Sequence, residues 1–172
     1  MKNITDFEKM FKYKMNIFII LDYNGTITSV EPKLNSPLSN TRFKRVLENF
    51  VNKDYIKITI ITDRQIHEFK NEFGLDSEKI DIYGFDGNGF KTKNNDKNLK
   101  KTNIINNVIA ENPGYEVVYV GDDKLLIEKI KAFKGYAIGI LPLCKEGENL
   151  VDFTVSQNKF EESLITAHNL YL

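Results

Sequence analysis

Two aspartates, a threonine and a lysine, far apart in this 172-residue chain, are of types that can handle a phosphate ester. Asp22, Thr62 and Asp122 each follow a short apolar run, and Lys101 opens a segment with helical periodicity. A carboxylate can attack phosphorus or bind Mg²⁺, a hydroxyl can donate to a phosphate oxygen, and a lysine can balance the negative charge. These residue types therefore suggest metal-assisted phosphoryl transfer, provided that the fold brings them together.

The segments around these residues alternate between strand and helix. Helical periodicity, such as the stripe of Phe43, Val46 and Leu47, separates the apolar runs. The predicted strands are Asn16–Leu21, Tyr55–Ile61, Lys79–Tyr83, Glu116–Val120, Tyr136–Leu141 and Val151–Val155. Such alternation predicts an α/β, doubly wound three-layer sandwich with a mostly parallel sheet of about five or six strands. Ligands bind at the carboxyl ends of the strands in these sheets, where the three polar residues stand.

One segment has a biased composition. Lys91–Lys101 (KTKNNDKNLKK) is rich in lysine and asparagine, which predicts a solvated loop. Thr102 is the expected N-cap of the next helix, which places Lys101 directly before the cap. Lys100 is the competing candidate for the functional lysine. We expect one domain over residues 1–172, with a core from about 15 to 170 and a short helical extension over residues 1–14.

Charge and composition exclude several classes of protein. Lysine plus arginine and aspartate plus glutamate each number 24, so the net charge is zero. Dedicated binders of nucleic acids or membrane surfaces need a basic excess. The longest apolar run, Ile17–Leu21, is too short to span a bilayer, and the first residues do not have the apolar stretch of a secretory signal. A single cysteine precludes an intrachain disulfide, and we expect a cytoplasmic protein.

The candidate residues stand in the order of the four motifs of the haloacid dehalogenase-like (HAD) superfamily. Residues 22–26 (DYNGT), after a buried strand, resemble the first motif. Thr62, after the second strand, resembles the second motif, and Lys101, at the start of a helix, resembles the third. Gly121-Asp122-Asp123 resembles the fourth. Four motifs in order, each at the end of a predicted element, form a specific signal.

Within the superfamily, the chain is similar to the trehalose-6-phosphate phosphatases from Ile17 to about Leu164. The similar segments are LDYNGTIT followed by Pro32, ITDR from Ile61, YGFDG from Tyr83 and YVGDDK from Tyr119. This resemblance implies a HAD-like Rossmannoid core that binds Mg²⁺ and a phosphorylated substrate.

The resemblance also implies roles for individual residues. Asp22 would be the nucleophile, the backbone carbonyl of Asn24 would face the metal, and Asp123 would stand behind the direct ligands. The implied catalytic residues are Asp22, Asn24, Thr62 and Lys101. The implied metal site comprises Asp22, Asn24, Asp122 and Asp123. The implied substrate-binding residues are Gly25, Thr26, Thr62, Asp63 and Arg64. Helix N-capping is the alternative role for Thr62 and for Asp123.

Three departures from the family pattern bear on activity. Asn24 occupies the position of the general acid/base aspartate, and loss of such a group costs roughly 10²–10⁴ in rate. Leu125 and Leu126 replace a Thr-Asp pair of the family, which leaves fewer polar groups around the metal. Only the 38 residues 63–100 separate the second and third motifs, too few for the family's cap domain. Specificity for trehalose-6-phosphate therefore does not transfer.

Two functions remain open from the sequence. The first is a magnesium-dependent phosphomonoesterase of weak activity that acts on a phosphorylated small molecule or macromolecule. The second is an inactive pseudophosphatase that serves as a binding or assembly module for a macromolecular partner, for which a protein is one candidate. Neither function involves a membrane or dedicated nucleic-acid binding.

Overall fold

The computed structural model describes residues 1–22, 41–75, 78–93, 95–141 and 149–172. Within these residues, the strands are β1 Ile17–Asp22, β2 Ile56–Thr62, β3 Asp81–Phe85, β4 Phe90–Thr92, β5 Asn95–Leu99, β6 Glu116–Gly121, β7 Tyr136–Leu141 and β8 Phe153–Ser156. The helices are α1 Ile4–Lys12, α2 Thr41–Phe50, α3 Ile66–Phe73, α4 Lys101–Glu111, α5 Lys124–Ala132 and α6 Gln157–Tyr171.

The strands form one sheet in the order β5-β4-β3-β2-β1-β6-β7-β8. Strand β1 pairs in parallel with both β2 and β6, and the antiparallel pairings are those of β4 with β3 and with β5. The chain builds outwards from β1 through β2 to β5, then returns to the other side of β1 with β6. Strand order therefore reverses between β1 and β6, and ligands of doubly wound sheets bind at such a switch point. The predicted α/β, mostly parallel architecture is confirmed.

Helices cover both faces of the sheet. One face packs on α1, α2, α3 and α6, through side chains such as Phe43, Phe69 and Phe160. The other face packs on α4 and α5, through side chains such as Ile105 and Ile127. Because both faces are covered, every residue of β1 is buried, which explains its continuous apolar sequence IFIIL.

Helix α1 completes the first helical layer. Phe7 and Phe11 are both fully buried. Phe7 stacks on Phe160 of α6 at 6.0 Å between ring centroids, and Phe11 stacks on Phe50 of α2 at 5.0 Å. Residues 1–14 thus contribute two large aromatic side chains to the core of the domain.

The lysine- and asparagine-rich segment differs from its prediction. Most of it forms the β4–β5 hairpin at the sheet edge, so the prediction of a loop was wrong. Backbone pairing and the buried ring of Phe90 hold the hairpin, and neither needs an apolar pattern along the segment. The Nζ of Lys91 lies 2.7 Å from Oδ2 of Asp86. The Nζ of Lys93 lies 3.6 Å from Oε1 of Glu78.

The start of α4 also differs by two residues. The N-cap is Lys100 and not Thr102, which lies inside the helix. The side chain of Asn103 accepts a hydrogen bond of 3.2 Å from the backbone N–H of Lys100. Lys101 is therefore the first helical residue.

Between Thr62 and Lys101, the described residues form α3 and the strands β3, β4 and β5, all of which belong to the layers of the core. They form no separate cap. Among the helices of the described residues, none combines the length and apolar character that a membrane crossing requires.

Candidate active site

The carboxyl ends of β1, β2 and β6 adjoin in the middle of the sheet. Asp22 ends β1 and aligns with Ile61 of β2, and Thr62 ends β2. Leu21 aligns with Val120 of β6, so Asp122 follows β6 beside Asp22. This arrangement sets the two aspartates at the switch point of the sheet, as the strand ends in the sequence predicted.

Asp22 and Lys101 form the closest charged pair at this edge. The Lys101 Nζ lies 3.3 Å from Oδ1 and 3.3 Å from Oδ2 of Asp22. Asp22 is only 2% exposed. A cation at the first residue of a helix is unfavourable for the helix dipole, so helix stability does not account for a lysine there. The ion pair with a buried carboxylate does.

Lys101 is held by further neighbours. Its Nζ lies 3.8 Å from Oδ1 of Asp63 and 5.6 Å from the ring centre of Phe90. Burial works to lower the pKa of Lys101, but the charges of Asp22, Asp63 and Asp123 outweigh it and the pKa is raised. Lys101 therefore stays cationic at neutral pH. The alternative lysine, Lys100, is exposed.

Tyr119 is a site residue that the sequence analysis missed. Its side chain is fully buried in β6, and its hydroxyl donates a hydrogen bond of 2.8 Å to Oδ2 of Asp22. The same hydroxyl accepts a hydrogen bond of 3.3 Å from the backbone N–H of Asp123. Burial, followed by the charge of Asp22, raises the pKa of Tyr119 well above its ordinary value, so the hydroxyl remains a donor. A polar aromatic residue in an otherwise apolar strand is the available signal for it.

Gly121 makes room for this contact. A Cβ at position 121 would lie 2.6 Å from Cζ of Tyr119 and 3.0 Å from Cβ of Asp22, and would collide with the Tyr119 hydroxyl. Only a residue without a side chain leaves the two groups in contact. The glycine of the GDD segment is therefore explained by packing of the site itself.

Burial also shifts the carboxylates of the site. It raises the pKa of Asp22, and the nearby charge of Asp122 adds to this, while Lys101 and the Tyr119 hydroxyl oppose it. The pKa of Asp122 is raised too, first by burial. The charge of Asp122 makes the smallest of these contributions to the pKa of Asp22, and a cation bound between the two carboxylates would offset it.

Asp123 caps helix α5. Its Oδ1 accepts hydrogen bonds from the backbone N–H groups of Leu125 at 3.0 Å and Leu126 at 3.3 Å. The helix-capping role left open by the sequence is therefore present. A role of Asp123 beside a metal stays a prediction.

Thr62 and the two residues after it form the turn at the end of β2. Thr62 is fully buried, and its Oγ1 accepts a hydrogen bond of 3.2 Å from the backbone N–H of Arg64. Gln65, and not Thr62, is the N-cap of α3. The side chain of Asp63 is 55% exposed. The roles of Thr62, Asp63 and Arg64 in binding substrate remain predictions.

Three other predicted site residues, Asn24, Gly25 and Thr26, lie outside the described residues. The suggested functions of these residues therefore rest on the sequence alone.

The acidic side chains of the described residues can be compared with the ligands that Mg²⁺ requires. No group of three or more histidine, cysteine, aspartate or glutamate side chains is placed to hold a metal within the described ranges. Magnesium, however, is usually bound by only one or two carboxylates and keeps several waters. Asp22 and Asp122, two partly desolvated carboxylates at adjoining strand ends, fit that donor set.

Solved structures share this fold. Trehalose-6-phosphate phosphatase of Aspergillus fumigatus superposes with a TM-score of 0.67 at 11% identity, over 97% of this chain and 97% of that chain. The trehalose-6-phosphate phosphatase C-terminal domain of C. albicans gives 0.62 at 12% identity, over 98% and 97%. The 3-deoxy-D-manno-octulosonate 8-phosphate phosphatase of Moraxella catarrhalis, in complex with magnesium, phosphate and KDO, gives 0.53 at 16% identity, over 98% and 95%.

The fold is therefore that of the HAD-like phosphatases. Among them, the trehalose-6-phosphate phosphatases resemble this chain over nearly its whole length, as the motifs predicted. No family model and no curated protein matches the chain by sequence. At these low identities, the structural likeness shows the fold alone.

Proposed function

We propose that the chain is a magnesium-dependent phosphomonoesterase of low turnover, with Asp22 as the nucleophile. The observation that carries the proposal is the ion pair of Lys101 and Asp22 at the switch point of a HAD-like sheet. The Lys101 Nζ lies 3.3 Å from both carboxylate oxygens of Asp22. A buried ion pair is costly for a fold to maintain, because the desolvation of the two charges can exceed the gain from their attraction. Such pairs recur at functional sites.

The proposed reaction begins with attack by the Asp22 carboxylate on phosphorus. A bond forms between a carboxylate oxygen and phosphorus, the ester P–O bond breaks, and its electron pair leaves with the alkoxide or aryl oxide. Lys101 balances the charge of the carboxylate and of the phosphoryl oxygens as the two anionic groups meet. A magnesium ion held by Asp22 and Asp122 would supply charge neutralisation of the transferred group.

The second step is hydrolysis of the aspartyl-phosphate. Water attacks phosphorus, the bond to Asp22 breaks, and the carboxylate is restored. Asn24 stands where the related enzymes have an acid/base aspartate, and an amide neither removes a proton from water nor protonates a leaving alkoxide. We therefore expect a long-lived aspartyl-phosphate, and a preference for esters whose leaving group needs no proton.

The substrate class follows from the absence of a cover over the site among the described residues. The described residues form no cap over the carboxyl ends of the strands, so nothing among them encloses a small substrate or excludes water. Phosphate on an accessible small molecule, or on a macromolecule that shields the site itself, fits this geometry. A cytoplasmic location agrees with a chain that contains a single cysteine.

The test is hydrolysis of 4-nitrophenyl phosphate with Mg²⁺ by the natural chain, by Asn24→Asp and by Asp22→Asn. We expect slow turnover by the natural chain, an increase of roughly 10²-fold or more for Asn24→Asp, and none for Asp22→Asn. If the natural chain and Asn24→Asp are both inert and neither binds Mg²⁺, the chain is not a phosphatase.

A binding module without turnover is the second candidate. Leu125, where the family has a polar residue, is 66% exposed directly beside the Asp122–Asp123 edge. This leucine offers an apolar point of contact to a macromolecule at the rim of the site, where the family pattern has a polar residue. This function would be favoured if neither the natural chain nor Asn24→Asp hydrolyses 4-nitrophenyl phosphate, and if a stable partner co-purifies with the chain and is released by Leu125→Ser.

A further inference from the structure

Tyr119 distinguishes the two oxygens of the Asp22 carboxylate. Lys101 lies at the same 3.3 Å from both oxygens, but the Tyr119 hydroxyl donates only to Oδ2, at 2.8 Å. With respect to the donors of the described residues, Oδ1 therefore keeps more of its basic character and is the oxygen better suited to attack. The carboxylate is also fixed in rotation, because one oxygen is held by a fully buried phenol.

The phenol itself has little freedom to move away. Its oxygen accepts a hydrogen bond of 3.3 Å from the backbone N–H of Asp123. The end of the ring lies against Gly121, where the absence of a side chain leaves room for it. The donor is therefore preorganised before any substrate arrives. Preorganised donors are effective where charge develops during a reaction, because no reorganisation is needed at that moment.

We propose that Tyr119 acts in the second half-reaction, where its hydroxyl stabilises the Asp22 carboxylate as that carboxylate leaves phosphorus. The inference rests on the proposed function and adds a catalytic residue to it. In the aspartyl-phosphate, Oδ1 is bonded to phosphorus and Oδ2 is a neutral carbonyl oxygen.

Charge returns to Oδ2 during hydrolysis. Water oxygen bonds to phosphorus, the P–Oδ1 bond breaks, and its electron pair is shared by both carboxylate oxygens, while the proton of the water passes to solvent. The Tyr119–Oδ2 hydrogen bond strengthens as Oδ2 becomes anionic, since bonds to charged acceptors are about twice as strong as neutral ones. In the first half-reaction the same bond weakens, so it does not accelerate attack. Loss of the hydroxyl should therefore slow the two steps unequally.

The experiment measures the two half-reactions separately. Each protein is mixed rapidly with 4-nitrophenyl phosphate and Mg²⁺, and the initial burst of 4-nitrophenolate reports phosphorylation of Asp22. After removal of substrate, the decay of the phosphorylated protein is followed by intact mass. The proteins are the natural chain, Tyr119→Phe and the matched control Tyr115→Phe. The Tyr115 hydroxyl also donates a hydrogen bond of 2.8 Å, but its acceptor is the backbone oxygen of Asp54 and not Asp22.

The expected result is a burst rate within a few-fold of the natural chain and a lifetime of the phosphorylated protein that is longer by roughly tenfold to a hundredfold for Tyr119→Phe. Tyr115→Phe should change neither. Gly121→Ala, whose Cβ displaces the hydroxyl, should lengthen the lifetime as well if it folds.

Two results overturn the inference while phosphatase activity stands: an unchanged lifetime in Tyr119→Phe, or an equal slowing of both steps, which marks a merely structural role. A third result is distinct from these. If none of the proteins shows a burst, the proposed function fails, and the role of Tyr119 fails with it.

Discussion

Lys101 Nζ contacts both carboxylate oxygens of Asp22 at 3.3 Å, although 79 positions of sequence separate the two residues. The contact joins the first turn of α4 to the last residue of β1. It places one cation against a carboxylate that is almost completely buried, at the point where two halves of the sheet meet. Under the proposed function, stability and chemistry therefore depend on the same pair.

Substitution of Lys101 by methionine should impair both properties. The variant leaves the Asp22 charge buried without its cation, so we expect the free energy of unfolding at pH 7 to fall by up to about 3 kcal/mol. Proton uptake by Asp22, whose pKa burial already raises, limits the loss. Phosphorylation by 4-nitrophenyl phosphate should also become undetectable. Denaturant unfolding and the nitrophenolate burst provide the two measurements.

Lys100→Met is the matched control for that prediction. Lys100 precedes Lys101 but is exposed, so its replacement should leave stability within about 0.5 kcal/mol and the burst unchanged. Equal effects of the two variants would show that the general charge of this segment matters, and not the ion pair with Asp22.

Magnesium binding can be tested without turnover. A ligand that binds only the folded state raises stability by RT ln(1 + [L]/Kd), so Mg²⁺ should raise the melting temperature of the natural chain. Asp122→Asn removes one of the two carboxylates, and the rise should become much smaller. Asp54→Asn, an exposed aspartate away from the site, should keep the full rise. A rise of the same size in the Asp122 variant would exclude this residue as a ligand.

The local pattern of the sequence was sufficient for the six strands outside the β4–β5 hairpin and for the ends of β1 and β2. Asp22 and Thr62 end their strands where apolar runs stop, because parallel strands covered on both faces must be continuously apolar. Lys101 was chosen because it directly precedes the expected N-cap Thr102, but the helix begins two residues earlier than that cap implied. The proximity of Asp22 and Asp122 then follows from topology, as β6 returns to the side of β1.

The pattern could not predict contacts between strands that are far apart in the sequence. Tyr119 reaches Asp22 across 97 positions only because of the β1–β6 register and the absence of a side chain at Gly121. In the sequence, Tyr119 stands out only as a polar aromatic residue among valines, which does not reveal the partner of its hydroxyl. The β4–β5 hairpin was missed for a related reason, since edge pairing depends on backbone hydrogen bonds and the one buried ring of Phe90.

The N-terminal helix should be essential for folding. Phe7 is fully buried and packs against both Phe11 and Phe160. Truncation of such a ring to alanine removes its burial and leaves a cavity, so Phe7→Ala should lower the free energy of unfolding by about 3–5 kcal/mol. Tyr13→Ala, which removes a ring that is 67% exposed, is the control and should have little effect. Similar losses in both variants would contradict a core role for Phe7.

Glu161 on α6 should make stability fall as the pH rises. Its Oε1 is buried and has no hydrogen-bond partner among the described residues. Burial, together with the charge of Glu162, raises the pKa of Glu161 from 4.5 to about 7. A carboxyl with a raised pKa in the folded chain binds its proton more tightly there than in the unfolded chain. Its contribution is therefore fully present below about pH 4.5 and is lost as the pH rises through about 7.

Glu161→Gln removes this titration, so it should raise the melting temperature relative to the natural chain at pH 8 more than at pH 5. The comparison between the two pH values separates the charge from any packing change, because packing acts equally at both. Glu128→Gln, an exposed glutamate on α5, should shift the two melting temperatures by the same small amount. A Glu161→Gln variant whose effect is independent of pH would mean that Glu161 reaches solvent in its charged form, and that its buried oxygen carries no electrostatic cost.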